Sequence, residues 1–509
     1  MSQLKKGAFL NYATIFLTNV VGILLTPFIL SHIGASEYGI YLTIGALVGT
    51  ISLLDFGLNS TIVRFVAKYR AEKNRIGEEN FLAVTMRIFF VISAIIVVLG
   101  VMFYTFFIDS YFTKMNSDEI KIAKTIFVIL IFNLSISLPG GAFTGICYGY
   151  ESFVFPKILN IIRYITRSIT VVAILTLGGK AIALVVIDTV FNVLIIITTL
   201  VFVFKNLKVK FKLHEFSFNF VRQIFSYSGW IFVFALVSLF QWQAGHWVLG
   251  RISVPKVLTI YGIGITLGSY YGAFSTAISG VFLPRATQMS VANATGEQLT
   301  DMMIKIGRLS FIILMFIFSS FLLYGLQFVN LWVGNELGEE GSYESWLIAL
   351  MIMVAYTLPL VQGFGNSILE AKSKLAFKAI LYLSFMFLGT ILGAVLAKDY
   401  GAIGMMTGSV IAWMLVQNVM NFYYHKKIGL NILRFFKELL SRTSIAILIA
   451  ILIGYAINLI PGNEWLNFIY KAISYTVVFS ILMFQIGLNG FEKDLFKKTV
   501  TGILQKIRK

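Results

Sequence analysis

The stretch LLDFGLNSTIVRFVAKYR, from Leu53 to Arg70, decides how the chain is interpreted. It begins as an apolar segment, yet Asp55, Asn59 and Arg64 fall close together within it. If the segment crosses a bilayer, each charge near the middle costs about 2.5 to 3.5 kcal/mol on insertion scales, so such residues usually face a cavity or a partner. The role of these side chains therefore depends on whether the chain lies in a membrane.

The composition indicates that it does. Of the 509 residues, 58% are hydrophobic and only 13% are charged, and the mean hydropathy is +0.86, whereas about a quarter of the residues in soluble domains are charged. Apolar runs of about 20 residues, each long enough to cross a hydrocarbon core of about 30 Å as a helix, recur along the chain. We therefore predict an all-α integral membrane protein without a soluble domain. The single Cys147 excludes an internal disulfide, and the four scattered histidines predict no metal site.

Hydropathy predicts about fourteen spans. The first is longer than the core of a signal peptide and has no obvious cleavage site, so we expect it to be retained. The predicted spans lie at about 8–30, 38–62, 81–108, 120–146, 158–178, 181–204, 225–250, 257–283, 309–332, 346–370, 377–397, 402–424, 442–460 and 465–488.

The net charge is +18, and the basic residues that cause it are predicted to lie mainly on one side of the membrane. Lys and Arg concentrate in alternate connections and in the C-terminal tail, whereas the intervening connections are short and often acidic, as in VGNELGEEGSYE at 333–344. By the positive-inside rule the basic segments are cytoplasmic, which places both termini inside. The charge thus reports orientation and attraction to anionic lipid, and no nucleic-acid partner is predicted.

An internal repeat recurs at an offset of about 220 residues. Leu138-Pro139 matches Leu358-Pro359, and Tyr41 matches Tyr261. The repeat predicts an N-lobe at 1–213 with spans 1–6, a C-lobe at 214–424 with spans 7–12, and an added part at 425–509 with spans 13–14 and the basic tail. Because six is even, the two six-helix lobes are parallel, with a site expected between them near the midplane. This is an architecture of transporters.

Polar residues in the first two spans are candidates for the lining of such a site. Asn11 begins a polar or small stripe on span 1, which is explained equally well by close helix packing or by a cavity. Asp55 and Asn59 share one face of span 2, and a functional or pairing role is the default for Asp55. Arg64 lies near the inner boundary, where it either anchors the helix by snorkelling or contacts substrate.

Spans 5 and 6 carry the deepest charges. Arg163 and Arg167 share one face of span 5, and Arg167 lies about 14 Å along the helix from its inner end. Asp188 lies on span 6, so an Arg167–Asp188 pair is one interpretation. The other is an anion site, because guanidinium groups bind phosphate oxygens in bidentate fashion. Arg285 at the inner end of span 8 either completes that site or marks topology.

The C-lobe contains related features. Glu370 follows Gln362 and Asn366 at spacings of four after Pro359. Proline kinks at equivalent depths in spans 4 and 10 fit either helices that bend as a cavity opens or simple curvature around packed neighbours. Gln241 and Tyr270, on spans 7 and 8, suit stacking and hydrogen bonding with sugar, although buried aromatic residues more often belong to the core.

Several classes of protein are excluded. The segment GGKA at 178–181 lacks the spacing and the hydroxyl of a phosphate-binding loop, so a bound nucleotide is not expected to supply energy. No Ser/His/Asp, zinc or GxSxG pattern occurs, and the outer loops are short. The protein is therefore predicted not to be an enzyme.

The sequence resembles the polysaccharide transporter family, the lipid-linked oligosaccharide or O-antigen-type flippases of the multidrug/oligosaccharidyl-lipid/polysaccharide (MOP) superfamily. The resemblance covers nearly the whole chain. It rests on HIGASEYGIY at 32–41, LLDFGLNSTIVRFVAKY at 53–69, Leu138-Pro139 and LPRATQ at 283–288.

This resemblance implies two six-helix lobes with two extra helices, and a cationic cavity lined by spans 1, 2, 7 and 8. It also implies flipping of an undecaprenyl-diphosphate-linked repeat unit to the outer leaflet of a bacterial plasma membrane. The expected diphosphate and sugar contacts are Arg64, Arg163, Arg167, Arg285, Gln241, Tyr270, Asn11 and Asn59. The candidates for responding to Na+ or H+ are Asp55, Asp188 and Glu370.

No bound cofactor is expected. The expected partners are the lipid-linked oligosaccharide, membrane lipids and, as a candidate, a glycan polymerase complex. Two alternatives remain open at this stage. One is a drug or organic-cation antiporter of the same superfamily, against which the basic character of the buried stripes argues. The other is a membrane scaffold for glycan assembly, which paired kinks and deep charges do not favour.

Overall fold

A computed structural model describes residues 3–55, 57–215, 218–279, 283–292, 294–372 and 374–494. These ranges are almost entirely helical and contain no β-strand. The helices are α1 (Gln3–Ile51), α2 (Leu58–Ala71), α3 (Arg75–Met102), α4 (Ile108–Tyr111), α5 (Ser117–Gly149), α6 (Val154–Thr176), α7 (Ala181–Lys205), α8 (Phe218–Trp242), α9 (Ala244–Ile252), α10 (Pro255–Ser279), α11 (Leu283–Val291), α12 (Gly296–Val361), α13 (Gly363–Ala371), α14 (Leu375–Tyr423), α15 (Ile432–Leu440), α16 (Thr443–Asn458) and α17 (Trp465–Leu482).

The all-α membrane prediction is confirmed. Within the described ranges, eight helices are long and apolar enough to cross a bilayer, and up to ten if each of two bent helix pairs is one span. Many of their large apolar side chains are exposed, as on α16 at Leu448 and Leu452. A membrane protein turns such residues toward lipid, since only satisfied backbone and apolar side chains can face hydrocarbon. The count of fourteen spans stays a prediction.

Three of the longest helices are each broken at a glycine. The breaks fall at Gly34 in α1, Gly338 in α12 and Gly401 in α14, where the backbone φ values are +77°, +78° and +54°. Glycine adopts this region without the steric penalty that a Cβ brings. Without its break, the 66-residue α12 would be about 100 Å long, more than three times the hydrocarbon thickness. The breaks lie in the predicted connections between spans.

Helix starts follow from local capping. Asn116 begins α5 with a capping box, in which its side chain accepts from the Glu119 backbone and the Glu119 carboxylate accepts from the Asn116 backbone. Thr295 and Gln298 form the same arrangement at the start of α12. Such caps satisfy backbone N–H groups that the first helical turn leaves without a partner.

The chain divides into two compact units, Met1–Gly262 with Tyr382–Met405, and Ile263–Leu381 with Met406–Lys509. In the first unit α5 is central, because it packs against α7, α3, α2 and α1. In the second unit α12 packs against α13, α15, α16 and α17. The predicted lobe boundaries at 213 and 424 stay a prediction.

Candidate functional site

The first unit contains a half-buried ion pair. Arg167 on α6 forms a bidentate contact with Asp188 on α7, in which Nη2 donates to Oδ2 at 3.1 Å and Nε donates to Oδ1. The two side chains are 19% and 21% exposed. The Tyr41 hydroxyl on α1 donates to the same Asp188 Oδ2 at 3.3 Å. Three helices thus meet at one carboxylate, which holds the guanidinium in a fixed orientation.

One turn further along α7, Asn192 connects the site to α5. Its Nδ2 donates to Asn133 Oδ1 at 2.6 Å and to Ser137 Oγ at 2.7 Å. Asp188 and Asn192 are four residues apart and therefore lie on one face of α7. A polar stripe thus runs from the ion pair into the contact between α5 and α7.

Pro139 lies inside α5, directly beside this stripe. A proline lacks the N–H that would bond the carbonyl four residues earlier, here Ser135. Ser93 on α3 donates to that Ser135 carbonyl at 2.7 Å. The backbone acceptor that the proline releases is therefore satisfied by a neighbouring helix, as a membrane interior requires.

The second unit also contains a contact between polar side chains of two helices. Gln417 Nε2 on α14 donates to Gln362 Oε1, just as Asn192 donates to Ser137. The donor and acceptor are 55 residues apart in both pairs, and the offset is 225 residues both from 137 to 362 and from 192 to 417. Gln362 also donates to Asn421 Oδ1 at 2.7 Å. This offset differs by five residues from the 220 residues that separate Leu138-Pro139 from Leu358-Pro359, so the repeat inferred from the sequence stays a prediction.

Glu370 is exposed on α13, the helix that carries Asn366. The Lys378 ammonium donates to Asn366 Oδ1 at 2.5 Å. The ion-coupling candidate of this unit therefore lies beside a cation and an amide rather than in the contact between Gln362 and Gln417.

The other predicted residues lie apart from the ion pair. Arg163 is half-buried one turn before Arg167 on α6, and Arg64 is exposed on α2. Asn59 packs against Gly141 of α5, where a Cβ would lie 2.9 Å from Asn59 Nδ2. The side chains of Gln241 on α8 and Tyr270 on α10 are half-buried. The side chains of Asn11, Asp55 and Arg285 lie outside the described part of the structure.

The structure also identifies polar contacts that the sequence does not predict. Tyr41 is visible in the sequence only as a match in the repeat, and its contact with Asp188 spans 147 residues. The bond from Lys378 to Asn366 likewise has no signal beyond the basic connection in which Lys378 lies. No group of three or more His, Cys, Asp or Glu side chains that could hold a metal ion occurs among the described residues.

Comparison with known structures identifies the fold. The chain is similar to lipid II flippase MurJ in an inward closed conformation, with a TM-score of 0.74, 15% identity, and coverage of 96% of this chain and 99% of that one. It is also similar to an inward-facing multidrug resistance MATE family transporter of the MOP superfamily, with a TM-score of 0.65, 13% identity, and coverage of 82% and 94%. A MOP superfamily transporter from Pyrococcus furiosus aligns at a TM-score of 0.52 and 14% identity, over 84% and 94% of the two chains.

No curated protein sequence matches the chain. The sequence profile of the family described as polysaccharide biosynthesis protein matches residues 4–291, which is more than half of the chain. The similar solved structures are described as a flippase and as transporters. The chain therefore belongs to the polysaccharide biosynthesis protein family and has the fold of the MOP-superfamily flippases and transporters.

Proposed function

We propose that the protein flips an undecaprenyl-diphosphate-linked oligosaccharide from the cytoplasmic to the outer leaflet of a bacterial plasma membrane by alternating access. A diphosphate and its sugars cannot cross hydrocarbon unaided, because unpaired charge there is prohibitively costly. The observation that carries the proposal is the Arg167–Asp188 pair, since its guanidinium already engages two oxygens of one anion. A diphosphate offers the same bidentate geometry.

In this mechanism Asp188 and the diphosphate compete for Arg167. Without substrate, the carboxylate and the Tyr41 hydroxyl hold the pair closed. When substrate arrives, a phosphate oxygen pair replaces the carboxylate, and Asp188 is left to take a proton or Na+. Binding of the cation would thus favour release of Arg167 to the substrate, which couples the two ligands through one side chain.

The remaining candidates have secondary roles in the proposal. Arg163 and Arg64 extend the cationic surface toward the diphosphate, and Gln241 and Tyr270 contact the sugars. Both termini are cytoplasmic in this scheme, and a glycan polymerase complex receives the flipped unit. The further lining candidates are Asn11, Asn59 and Arg285, and the further ion-coupling candidates are Asp55 and Glu370.

The test replaces Arg167 by Ala and measures the lipid-linked oligosaccharide that remains on the inner leaflet, together with the surface glycan. We expect accumulation inside and loss of surface glycan, because the substrate anion loses a charge-assisted bidentate partner. Arg87→Ala is the matched control, since Arg87 is exposed on α3 and the same charge is removed. Normal export in the Arg167 variant would contradict the role given to this arginine.

A drug or organic-cation antiporter is the second candidate. The fold similarity to a multidrug resistance MATE family transporter supports it, as does the presence of a half-buried carboxylate, Asp188, which could accept a cation. Deletion of the gene separates the two functions. Loss of surface glycan with unchanged drug tolerance is expected, whereas drug sensitivity with normal glycan would favour the antiporter.

A further inference from the structure

A cavity of about 590 Å³ in the second unit is not used by the proposed mechanism. It lies between α12, the end of α16 and the start of α17. We call it the Lys471 cavity. The lining residues on which the inference depends are Leu322, Gln327, Asn330, Asn458, Leu459 and Lys471.

Lys471 contributes a buried charge to this cavity. It lies six residues after Trp465, the first residue of α17, or about 9 Å into the helix, and only 4% of its surface is exposed. Its ammonium donates to Gln327 Oε1 and to Asn458 Oδ1, each at 3.3 Å. An ammonium has three donors, and the third has no partner in the described part of the chain.

The surrounding amides are held in fixed orientations. Gln327 Nε2 donates to the Gly462 carbonyl and to Asn467 Oδ1, each at 3.3 Å. Asn467 Nδ2 in turn donates to the Pro461 carbonyl at 3.1 Å. The network therefore directs the Gln327 oxygen to Lys471, and a reversal of this amide would break three bonds at once.

Lys471 and Asn458 each leave a donor without a partner in the described part of the chain. The Asn458 oxygen is occupied by Lys471, and its Nδ2 makes no hydrogen bond within the described ranges. No Asp or Glu lines the cavity among those residues. A buried ammonium surrounded only by neutral amides is costly unless an anion joins it. The cavity thus has the composition of an anion site.

The rim of the cavity indicates that the anion is attached to lipid. Leu459 and Leu322 both line the cavity, and 68% and 37% of their surfaces are exposed. In a membrane protein such leucines face acyl chains. A ligand that carries a phosphate group beside an apolar tail would contact both Lys471 and the exposed leucines. A free phosphate would leave the leucines without a contact.

We propose that the Lys471 cavity binds the phosphate group of a lipid, with the third Lys471 N–H and the Asn458 amide donating to phosphate oxygens. The proposal does not rest on the flippase function. The same phosphate chemistry occurs on anionic phospholipids of the bilayer and on polyprenyl phosphates, so the test includes both.

The test titrates the purified full-length protein in neutral detergent with phosphatidylglycerol, with undecaprenyl phosphate, with phosphatidylcholine and with inorganic phosphate, and follows bound lipid by native mass spectrometry. We expect one or both anionic lipids to bind at least about tenfold more tightly than phosphatidylcholine, the factor that one charge-assisted hydrogen bond supplies. Which of the two binds more tightly identifies the source. Inorganic phosphate is expected not to displace either lipid.

Two variants localise the binding. Lys471→Met removes the charge, and Asn458→Asp keeps the side-chain shape and the acceptor while neutralising the cavity, so it stays informative if Lys471→Met fails to fold. Both should bind anionic lipid no better than phosphatidylcholine. Lys398→Met and Asn335→Asp make the same changes at exposed positions outside the cavity and should bind as the wild type does.

Three outcomes would overturn the proposal. Anionic lipid could bind no more tightly than phosphatidylcholine, or Asn458→Asp could retain the preference of the wild type. Displacement of the lipid by millimolar inorganic phosphate would show that the tail is not recognised.

Discussion

Asp188 is the residue on which the half-buried ion pair depends. Asp188→Asn keeps the shape of the side chain but removes the negative charge that faces Arg167. It also replaces one oxygen that accepts from the Arg167 guanidinium by an NH2 group, which cannot accept. We expect the variant to lose about 1.5 to 3 kcal/mol of stability, the contribution of a hydrogen bond to a charged group, measured as a lower thermal unfolding midpoint.

Asp399→Asn is the control for this substitution, because Asp399 is exposed at a predicted connection and surface changes usually stay within about 0.5 kcal/mol. Equal midpoints for the two variants would mean that the ion pair contributes nothing to folding.

How far the sequence predicts the site depends on how far apart the partners lie. The Arg167–Asp188 pair is predictable because both charges are too deep to snorkel and their helices are consecutive. Tyr41 is not, because its contact with Asp188 depends on how α1 is rotated against α7, which hydropathy does not specify. The acceptors of Lys471 are likewise neutral amides, which carry no complementary charge to reveal them.

Among the helices, α5 allows a direct test of how a proline inside a helix is accommodated. Ser93 donates to the carbonyl that Pro139 leaves free, so Ser93→Ala should destabilise the protein. In a Pro139→Ala background the helix can supply its own N–H, and the same change should cost less. A double-mutant cycle by reversible unfolding in mixed micelles should give a coupling energy of about 0.5 to 1 kcal/mol. Strict additivity would show that the two residues act independently.

The break at Gly338 in α12 allows a second test, of how a glycine with positive φ interrupts a long helix. A Cβ at Gly338 would meet no atom within 4 Å, but its φ of 78° and ψ of 174° lie in a region that is essentially restricted to glycine. Gly338→Ala should therefore cost only backbone strain, about 1 to 3 kcal/mol. Gly334, in the preceding helical turn, has its nearest contact at 3.5 Å and an ordinary backbone. Gly334→Ala should therefore be neutral or stabilising by up to about 1 kcal/mol. Equal unfolding midpoints for the two alanine variants would contradict this account of the break.

These breaks also explain which element boundaries the sequence predicts. The polar and glycine-containing connections at Gly34 and Gly338 interrupt long apolar runs, so hydropathy places span ends on either side of them. Bends within spans are harder to predict from the sequence. Pro359 lies inside α12, two residues before its end at Val361, and the kink predicted there stays a prediction.

At the scale of the whole molecule, the repeat stays a prediction that rests on the sequence matches at an offset of about 220 residues. The contacts of Ser137 with Asn192 and of Gln362 with Gln417 are separated by 225 residues and do not test it. The side chains that make these contacts differ between the halves.

The predicted orientation in the membrane rests on the distribution of charge alone, and it can be tested because Cys147, the only cysteine in the sequence, is buried. Glu72 lies after a predicted inner span end and Glu339 in a predicted outer connection, and both are exposed. An impermeant maleimide added to intact spheroplasts should label Glu339→Cys, whereas Glu72→Cys should react only after permeabilisation. Both substitutions remove one negative charge, so any difference in labelling between the two variants reports which cysteine the maleimide can reach. Labelling of Glu72→Cys in intact spheroplasts would reverse the topology and would place the Lys471 cavity toward the cytoplasmic leaflet, because the turn at Pro461 lies an even number of predicted spans from Glu339.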